Sequence, residues 1–223
     1  MREKNWQDSV IAAIVLILVS EICLGSDEGD FQYWSKVSLC FNINKDWQFE
    51  FEEEFKLGDH AEQLFIHNSD FGFVYSGLAG WLDLGFKFKK EYEKEDDGSW
   101  TEENRPHFNV TITSRLLGLD ISDRSRLEYR DLQEEKDLWR YRNKLTVRLP
   151  LELTQFKLQP YMAEEVFINF DAEDFNTNRL YGGFYLWLSK KTRLDVYYLW
   201  QVSKDDGNWD NTHVLGTNLG FYF

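Results

Sequence analysis

Apolar and polar residues alternate along nearly the whole chain from Phe31 onward. In the stretch "WQFEFEEEF", the aromatic residues Trp47, Phe49 and Phe51 alternate with glutamine and glutamate. A period of two places successive side chains on opposite faces of a β-strand, so each segment has one apolar and one polar face. The segments are about ten residues long, the length that a tilted strand needs to cross a bilayer. The pattern predicts long strands, and a charged content of 29% excludes a protein that is buried and apolar throughout.

Eleven segments show this alternation. They cover residues 31–43, 47–56, 63–76, 81–92, 105–116, 122–131, 138–149, 157–169, 179–188, 193–202 and 212–223. Single-chain bacterial barrels have an even number of strands. The sequence therefore favours twelve strands, one of them unrecognised, over ten strands with residues 31–43 not crossing the membrane.

The connections between these segments are of two kinds. Short ones lie at 43–46, 76–80, 117–120 and 189–192, and long acidic ones lie at 93–104, 131–137, 171–178 and 203–211. Transmembrane barrels have short periplasmic turns and longer extracellular loops. A soluble sandwich or a lipocalin explains the alternation, but neither the asymmetry of the connections nor the uniform strand length. The prediction is an all-β, antiparallel transmembrane β-barrel of 10–12 strands with longer acidic extracellular loops.

The final strand, "NTHVLGTNLGFYF", ends in the middle of an apolar face. Phe223, Phe221 and Leu219 alternate with smaller or polar residues up to the last position. Only a closed barrel gives such a strand a partner on both sides and leaves no backbone edge exposed to lipid. The terminal aromatic also resembles the C-terminal signal of bacterial outer-membrane barrels. We therefore expect Phe223 and Phe221 to form an assembly signal that the barrel-assembly machinery reads.

The N-terminus has the features of a cleavable signal peptide. Arg2 and Lys4 precede the apolar stretch 10–20, which is too short to span a bilayer, and small residues follow near Gly25. The predicted organisation is a signal peptide at 1–25 and one barrel domain at 26–223, located in the outer membrane of a Gram-negative bacterium. A lipoprotein signal that uses Cys23 and a buried N-terminal helix are the alternatives.

Composition limits the partners. The formal net charge of -14 argues against nucleic acid, because phosphate contacts need clustered cations on an outer face. The expected partners are outer-membrane lipid and lipopolysaccharide. No cofactor is predicted, and the four histidines are too scattered to predict a metal site.

Several motifs resemble a family of uncharacterised Gram-negative outer-membrane proteins. They are "KDWQFEFEEEF", "DRSRLEYRD" followed by "WRYRNKL", "PYMAEEVF" and "NRLYGGFYLWLS", together with the closing aromatic strand. The chain is similar, over most of residues 26–223, to the domain of unknown function 2490 family. The resemblance implies a barrel and an outer-membrane location. The family has no established ligand, so the resemblance implies no functional residues.

The most distinctive candidate site is cationic. Two neighbouring strands carry charged residues on one face, opposite an apolar face that must contact lipid, so these charges are expected to line the lumen. They are Arg124, Arg126, Glu128 and Arg130 on one strand and Arg140, Arg142 and Lys144 on the next. A hairpin centred near residue 135 would place Arg130 opposite Arg140, Glu128 opposite Arg142, and Arg126 opposite Lys144. Like-charge pairs of this kind need anions nearby, and Glu50, Glu52 and Glu54 form the obvious acidic stripe across the lumen.

Two functions agree with this arrangement. One is a narrow, porin-like channel for small and perhaps anionic solutes, with a cationic and an anionic wall. The other is a non-conducting structural barrel whose interior is filled by salt bridges.

A third, remote reading is a lipid hydrolase. His67 and Ser69 lie on the lipid-facing side of their strand and resemble the His-x-Ser pair of outer-membrane lipid hydrolases. The Asn that follows the Ser in those enzymes is absent here, and the sequence shows no third group to orient the histidine. The prediction is therefore that the protein is not an enzyme.

Overall fold

The computed structural model describes residues 30–133, 136–149, 157–170, 174–205 and 208–223, and the predicted signal peptide lies outside this part of the chain. The described residues form eleven strands in one closed barrel, with each strand beside the next in chain order. The strands are β1 (Asp30–Asn42), β2 (Trp47–Gly58), β3 (Gln63–Ala79), β4 (Leu82–Lys94), β5 (Trp100–Leu116), β6 (Leu119–Leu132), β7 (Leu138–Arg148), β8 (Gln159–Asn169), β9 (Asp174–Ser189), β10 (Thr192–Asp205) and β11 (Asn208–Tyr222). Among the described residues, no helix is long and apolar enough to cross a membrane.

The barrel closes through a parallel pair. β1 lies beside β11 and runs in the same direction, with Asp30 opposite Thr212 and Cys40 opposite Tyr222. The ten other neighbouring pairs are antiparallel. In an up-and-down barrel with an odd number of strands, the first and last strands point the same way, so their pairing must be parallel. The prediction of twelve strands and its alternative of ten are therefore wrong. The rule that barrels have an even number of strands assumes that the first and last strands pair antiparallel.

The two ends of the barrel are less asymmetric than the sequence predicts. We call the end that carries Phe223 the lower end and the opposite one the upper end. The upper connections are 59–62, 95–99, 133–137, 170–173 and 206–207, which are two to five residues long. The prediction of long loops at 93–104 and 203–211 is wrong, because the flanking strands extend into these segments and pair with each other as hairpins. Acidic side chains did not end these strands, since backbone pairing continues whether or not the side chains are polar.

The wall has an apolar outer face and a polar inner face, as the alternation predicts. Phe71, Phe73 and Phe86 point outward and are 42%, 46% and 53% exposed, whereas Asp70 and Arg105 point inward and are buried. The two faces follow from the period of two of a β-strand. Because inward positions on neighbouring strands meet, the polar residues of all the strands converge in the lumen.

One side of the lumen is aromatic. Its buried cluster comes from β1 and β8–β11 and consists of Trp34, Tyr161, Ala163, Tyr181, Leu199 and Val214. The ring of Tyr161 stacks on that of Tyr185 at 4.4 Å between centroids. A Cβ atom at Gly216 would overlap the ring of Tyr197, so glycine at this position lets the ring lie against the wall. The remaining side of the lumen, from β2 to β7, is charged.

Candidate functional site

A buried glutamate on β8 holds the two sides of the lumen together. The side chain of Glu165 is 1% exposed and accepts a hydrogen bond from Arg142 at 2.8 Å and one from Arg124 at 3.1 Å. The Tyr181 hydroxyl donates to its other oxygen at 2.7 Å, and Arg179 lies at 4.0 Å. A carboxylate so deeply buried is stable only when cations and hydrogen-bond donors surround it.

A second buried glutamate lies on β6. The side chain of Glu128 has no exposed surface, and the guanidinium of Arg140 donates to it at 2.5 Å. Arg142 and Arg126 lie at 3.6 and 3.9 Å from its other oxygen. Arg142 contacts both Glu128 and Glu165, so the two clusters form one network across β6, β7 and β8.

The pairing of β6 with β7 differs from the predicted register by two residues. Glu128 lies opposite Arg140, and Arg126 lies opposite Arg142, whereas the sequence placed Arg130 opposite Arg140. A shift of two residues keeps every side chain on its predicted face, because the side chains repeat with a period of two. Glu128 exchanges Arg142 for Arg140 as its opposite neighbour, and both registers leave two like-charge pairs, so the charges of these two strands do not by themselves set the register.

A third acidic centre closes the upper part of the lumen. Glu103 receives two hydrogen bonds from the guanidinium of Arg130, at 2.6 and 2.7 Å, and two from that of Arg105, both at 2.6 Å. Arg105 also donates to Glu91 at 2.9 Å. Paired contacts of this kind between arginine and carboxylate are short and fix the orientation of both groups.

The predicted acidic stripe on β2 has other partners. Its three glutamates form ion pairs with lysines on β1, β2 and β4. The pairs are Glu50 with Lys87, Glu52 with Lys36 at 3.3 Å, and Glu54 with Lys56 at 3.9 Å. Within the described ranges, none of the three forms an ion pair with the arginines of β6 and β7. The expected direct pairing across the lumen is therefore wrong, because nearer lysines on β1, β2 and β4 neutralise the stripe.

The side chains leave three cavities along the barrel axis. A central chamber of about 270 Å³ lies within the network, with an upper vestibule of about 640 Å³ and a lower vestibule of about 540 Å³ at the two ends. Glu91, Glu103 and Arg130 line the upper vestibule, and Glu91 and Arg130 also line the central chamber. Tyr185 borders both the central chamber and the lower vestibule. Glu91 and Arg130 therefore lie at the boundary between the chamber and the upper vestibule, and Tyr185 lies at its boundary with the lower vestibule.

Three polar residues on β2 and β3 interrupt the apolar outer face of these strands. His67 and Ser69 on β3 both contact the carboxylate of Glu53 on β2: His67 through its Nε2 atom, and Ser69 through a hydrogen bond of 2.8 Å from its hydroxyl. The ring of Phe55 stacks on His67 at 4.7 Å. Ser69 lies opposite Lys90 on β4. We call Glu53, His67 and Ser69 the outward polar cluster; it lies where the apolar belt meets the charged upper part of the wall.

Several network residues were not among the predicted site residues. Glu103 and Arg105 fall in or beside a segment that the sequence assigned to a loop, although Glu103, Arg105 and His107 continue the inward alternation of β5. Extending that period of two upstream would have identified them. Glu165 had no comparable signal, because its neighbour Glu164 is also acidic and only the register shows that Glu165 points inward. In the described part of the chain, no group of His, Cys, Asp or Glu side chains is arranged to hold a metal ion.

A solved structure has the same fold. LpxR from Salmonella typhimurium is similar with a TM-score of 0.54 and 8% sequence identity, over 83% of this chain and 87% of that one. At this identity the likeness concerns the fold alone. No curated protein matches the sequence.

The family comparison agrees with the sequence motifs. Residues 31–212, from the first strand to the beginning of the last, match the model of the family described as "Protein of unknown function (DUF2490)". The match covers nearly all of β1, the whole of β2 to β10 and the first five residues of β11, together with all residues of the ion-paired network. The chain therefore belongs to the DUF2490 family.

Proposed function

We propose that the protein is an outer-membrane barrel whose lumen is closed by ion-paired side chains, so that it does not conduct ions in this state. The observation that carries the proposal is the burial of Glu128 and Glu165, each with arginines around it, in the middle of the lumen. Charges are found so deeply buried when they form paired, hydrogen-bonded clusters that leave little room for bulk water.

The outer surface supports a membrane location. Aromatic and aliphatic side chains form an exposed apolar belt around the wall, including Phe71, Phe73, Phe86 and Met162. A soluble monomer rarely exposes so large an apolar surface, and a closed barrel leaves no unpaired strand edge in lipid. In this proposal the lower end is periplasmic, lipid and lipopolysaccharide surround the belt, and Phe223 and Phe221 serve the barrel-assembly machinery as a signal.

The alternative of a narrow channel has weaker support. The three cavities lie along one axis, so a path for solutes exists in outline. Two partitions interrupt this path: the ion pairs around Glu103 and the stacked rings of Tyr161 and Tyr185. A conducting state would require both partitions to move.

Replacing one buried carboxylate tests the closed lumen. In Glu165→Gln, Arg124, Arg142 and Arg179 lose a buried anionic partner, and breaking such a pair costs about 3–5 kcal/mol. We expect the free energy of unfolding to fall by about that amount, measured by urea unfolding in lipid vesicles and by loss of the folded band on unboiled gels.

The adjacent residue is the matched control. Glu164 points outward and contacts Asn178, so Glu164→Gln makes the same chemical change on the opposite face. We expect it to change the free energy of unfolding by less than about 1 kcal/mol. Equal, small effects of the two substitutions would mean that the lumen is wet, and would favour the channel.

The outward polar cluster favours a second candidate function, hydrolysis of lipid esters. The observation is Glu53, a third group that the sequence alone did not reveal beside His67 and Ser69. In this reading the Ser69 oxygen attacks an ester carbonyl while Glu53, oriented by His67, takes the hydroxyl proton. The alcohol leaves with that proton, and water then releases the fatty acid from Ser69.

A further inference from the structure

The central chamber is positively charged, although the protein as a whole is strongly acidic. Eleven lysines and arginines line the chamber, against six aspartates and glutamates. Glu103 and Glu128 lie just behind this lining and pair with arginines in it, which reduces the excess from five positive charges to three. The formal charge of the whole chain is -14. The protein's own carboxylates therefore do not neutralise this chamber.

The excess of positive charge is concentrated where β6 and β7 face β1 across the chamber. Lys144 has no carboxylate within 4.0 Å among the described residues, and its ammonium lies 3.5 Å from the centre of the Tyr181 ring. Arg124 is its opposite neighbour on β6. Glu165 and Asp195 attract the ammonium of Lys144 from a distance, whereas Lys36 on β1 and Arg124 repel it. The side chains of these two cations are 27% and 33% exposed, so they are among the more open cations of the network.

Some hydrogen-bond donors of the described residues that line the chamber also have no acceptor. The Nε atoms of Arg124 and Arg142 are buried and have no acceptor in the described part of the chain. A buried donor without a partner in the protein is costly. Lys36 and Arg124 each pair with one carboxylate, Glu52 and Glu165, and with Lys144 they form a cluster of three cations. Clustered cations are an arrangement that recognises an oxyanion.

The vestibules differ in charge. The upper one is lined by carboxylates, including Glu93, Glu95 and Asp97. The lower one is lined by Arg115, Arg148 and Arg193 with one aspartate. A wall of one sign attracts ions of the opposite sign and repels its own. An anion is therefore favoured at the lower end and disfavoured at the upper one.

We propose that the central chamber binds a small free oxyanion of the phosphate or sulfate class between Lys144, Arg124 and Lys36, and that the anion enters from the lower end. A volume of about 270 Å³ corresponds to roughly nine waters of the liquid. That is enough for such an ion with part of its hydration shell, and too little for a lipid. The inference goes beyond the proposed function, because binding requires neither a membrane nor a closed pore.

The test uses the purified barrel in detergent and inorganic phosphate as the probe. We expect phosphate to bind in calorimetry and to raise the melting temperature more than sodium chloride of equal ionic strength. In Lys144→Met, the affinity for phosphate should fall at least about tenfold, because a charge-assisted contact is lost. In the control Lys45→Met, which removes an exposed lysine from the turn at 43–46, the affinity should be unchanged.

Two results would overturn the proposal: phosphate that stabilises the barrel no more than chloride, or wild-type affinity in Lys144→Met. If Lys144→Met does not fold, Arg124→Gln takes its place, because Glu165 then keeps Arg142 at 2.8 Å. Phosphatidic acid added to the micelles should not compete with phosphate. Competition would place the anion site on the lipid-facing surface and contradict a chamber site.

The direction of entry is tested by rates at low salt. Arg193→Gln removes a cation from the lower vestibule and should slow phosphate association severalfold. Glu95→Gln, which removes a charge from the upper vestibule, should leave the rate unchanged. The opposite pattern would mean that the anion enters from the upper end.

Discussion

Glu53, His67 and Ser69 are polar side chains on a face that is otherwise largely aromatic along β2 and β3. Polar groups in contact with lipid are costly unless they are satisfied within the protein. Glu53 satisfies both of its neighbours, since one of its oxygens contacts His67 and the other accepts from Ser69. The cluster is either a self-satisfied structural contact or a nucleophile with its base, and the reactivity of Ser69 distinguishes these two.

If the cluster is catalytic, Ser69 should react covalently with a fluorophosphonate probe presented in detergent micelles. Ser69→Ala should abolish labelling, and Glu53→Gln should reduce it at least about a hundredfold, because general-base assistance contributes that much. Mass spectrometry of the labelled peptide identifies the serine.

Ser125 is the matched control. It also points outward, but its hydroxyl contacts Tyr141 and Asn143 rather than a carboxylate or a histidine. Ser125→Ala should leave labelling unchanged. Absence of label at Ser69 in the folded wild-type barrel would contradict a catalytic role and show that the cluster is a structural contact.

At the scale of single residues, the sequence predicts which face of a strand a side chain occupies better than it predicts which side chains contact it. The inward orientation expected of Arg126 and Arg142 needs only the period of two, and the structure buries both side chains. Their partners depend on register and on strands distant in sequence, such as β8 with Glu165. A hairpin centre misplaced by one residue moves every pair by two positions, which is why the pairing of Arg130 with Arg140 was wrong.

Among the elements, the closing pair β1–β11 is the least expected. Its hydrogen bonds continue to the last residue: the Phe223 amide donates to the Cys40 carbonyl at 2.9 Å, and the Asn42 amide donates to the Phe223 carbonyl at 3.2 Å. The rings of Phe41 and Phe223 stack at 4.8 Å. The terminal phenylalanine therefore connects the first and last strands, independently of any role as an assembly signal.

Cysteine cross-linking tests the parallel closure. Val37 lies opposite Leu219, and neighbouring strands are about 4.8 Å apart, within the range of a disulfide. In a Cys40→Ser background, Val37→Cys with Leu219→Cys should cross-link on mild oxidation and change mobility on denaturing gels.

Leu215→Cys serves as the control partner. Leu215 lies opposite Tyr33, four residues from Val37 and therefore about 13 Å along the strand. Val37→Cys with Leu215→Cys should stay uncross-linked. The reverse result would mean a different register or an additional strand between β1 and β11.

The existence of the strands was predictable, whereas their ends were not. Every segment with the two-residue period became a strand, because one apolar and one polar face suit a barrel wall. The acidic stretches at 93–104 and 203–211 have no apolar face, so composition suggested loops there. Their backbones nevertheless pair across hairpins. The period of two that continues through Glu103 and Arg105 indicates this pairing only at the end of 93–104.

The molecule as a whole has three concentric parts: an apolar outer belt, a hydrogen-bonded wall and a charged and aromatic interior. This arrangement is the inverse of a soluble protein, and a bilayer is the environment that it fits. We expect the protein to fractionate with the outer membrane and to migrate differently on gels before and after boiling. Recovery in the soluble periplasm, with no effect of heating, would contradict the membrane location.

Side chains close the lumen in the proposed function, and single-channel recording in planar bilayers tests this closure most directly. The folded wild-type protein, with insertion verified by its unboiled gel mobility and a porin as positive control, should show no stepwise conductance. This result follows from the buried charges around Glu128 and Glu165 and from the two partitions of the lumen. Reproducible conductance steps with a defined preference for anions or cations would contradict a closed lumen and establish the channel instead.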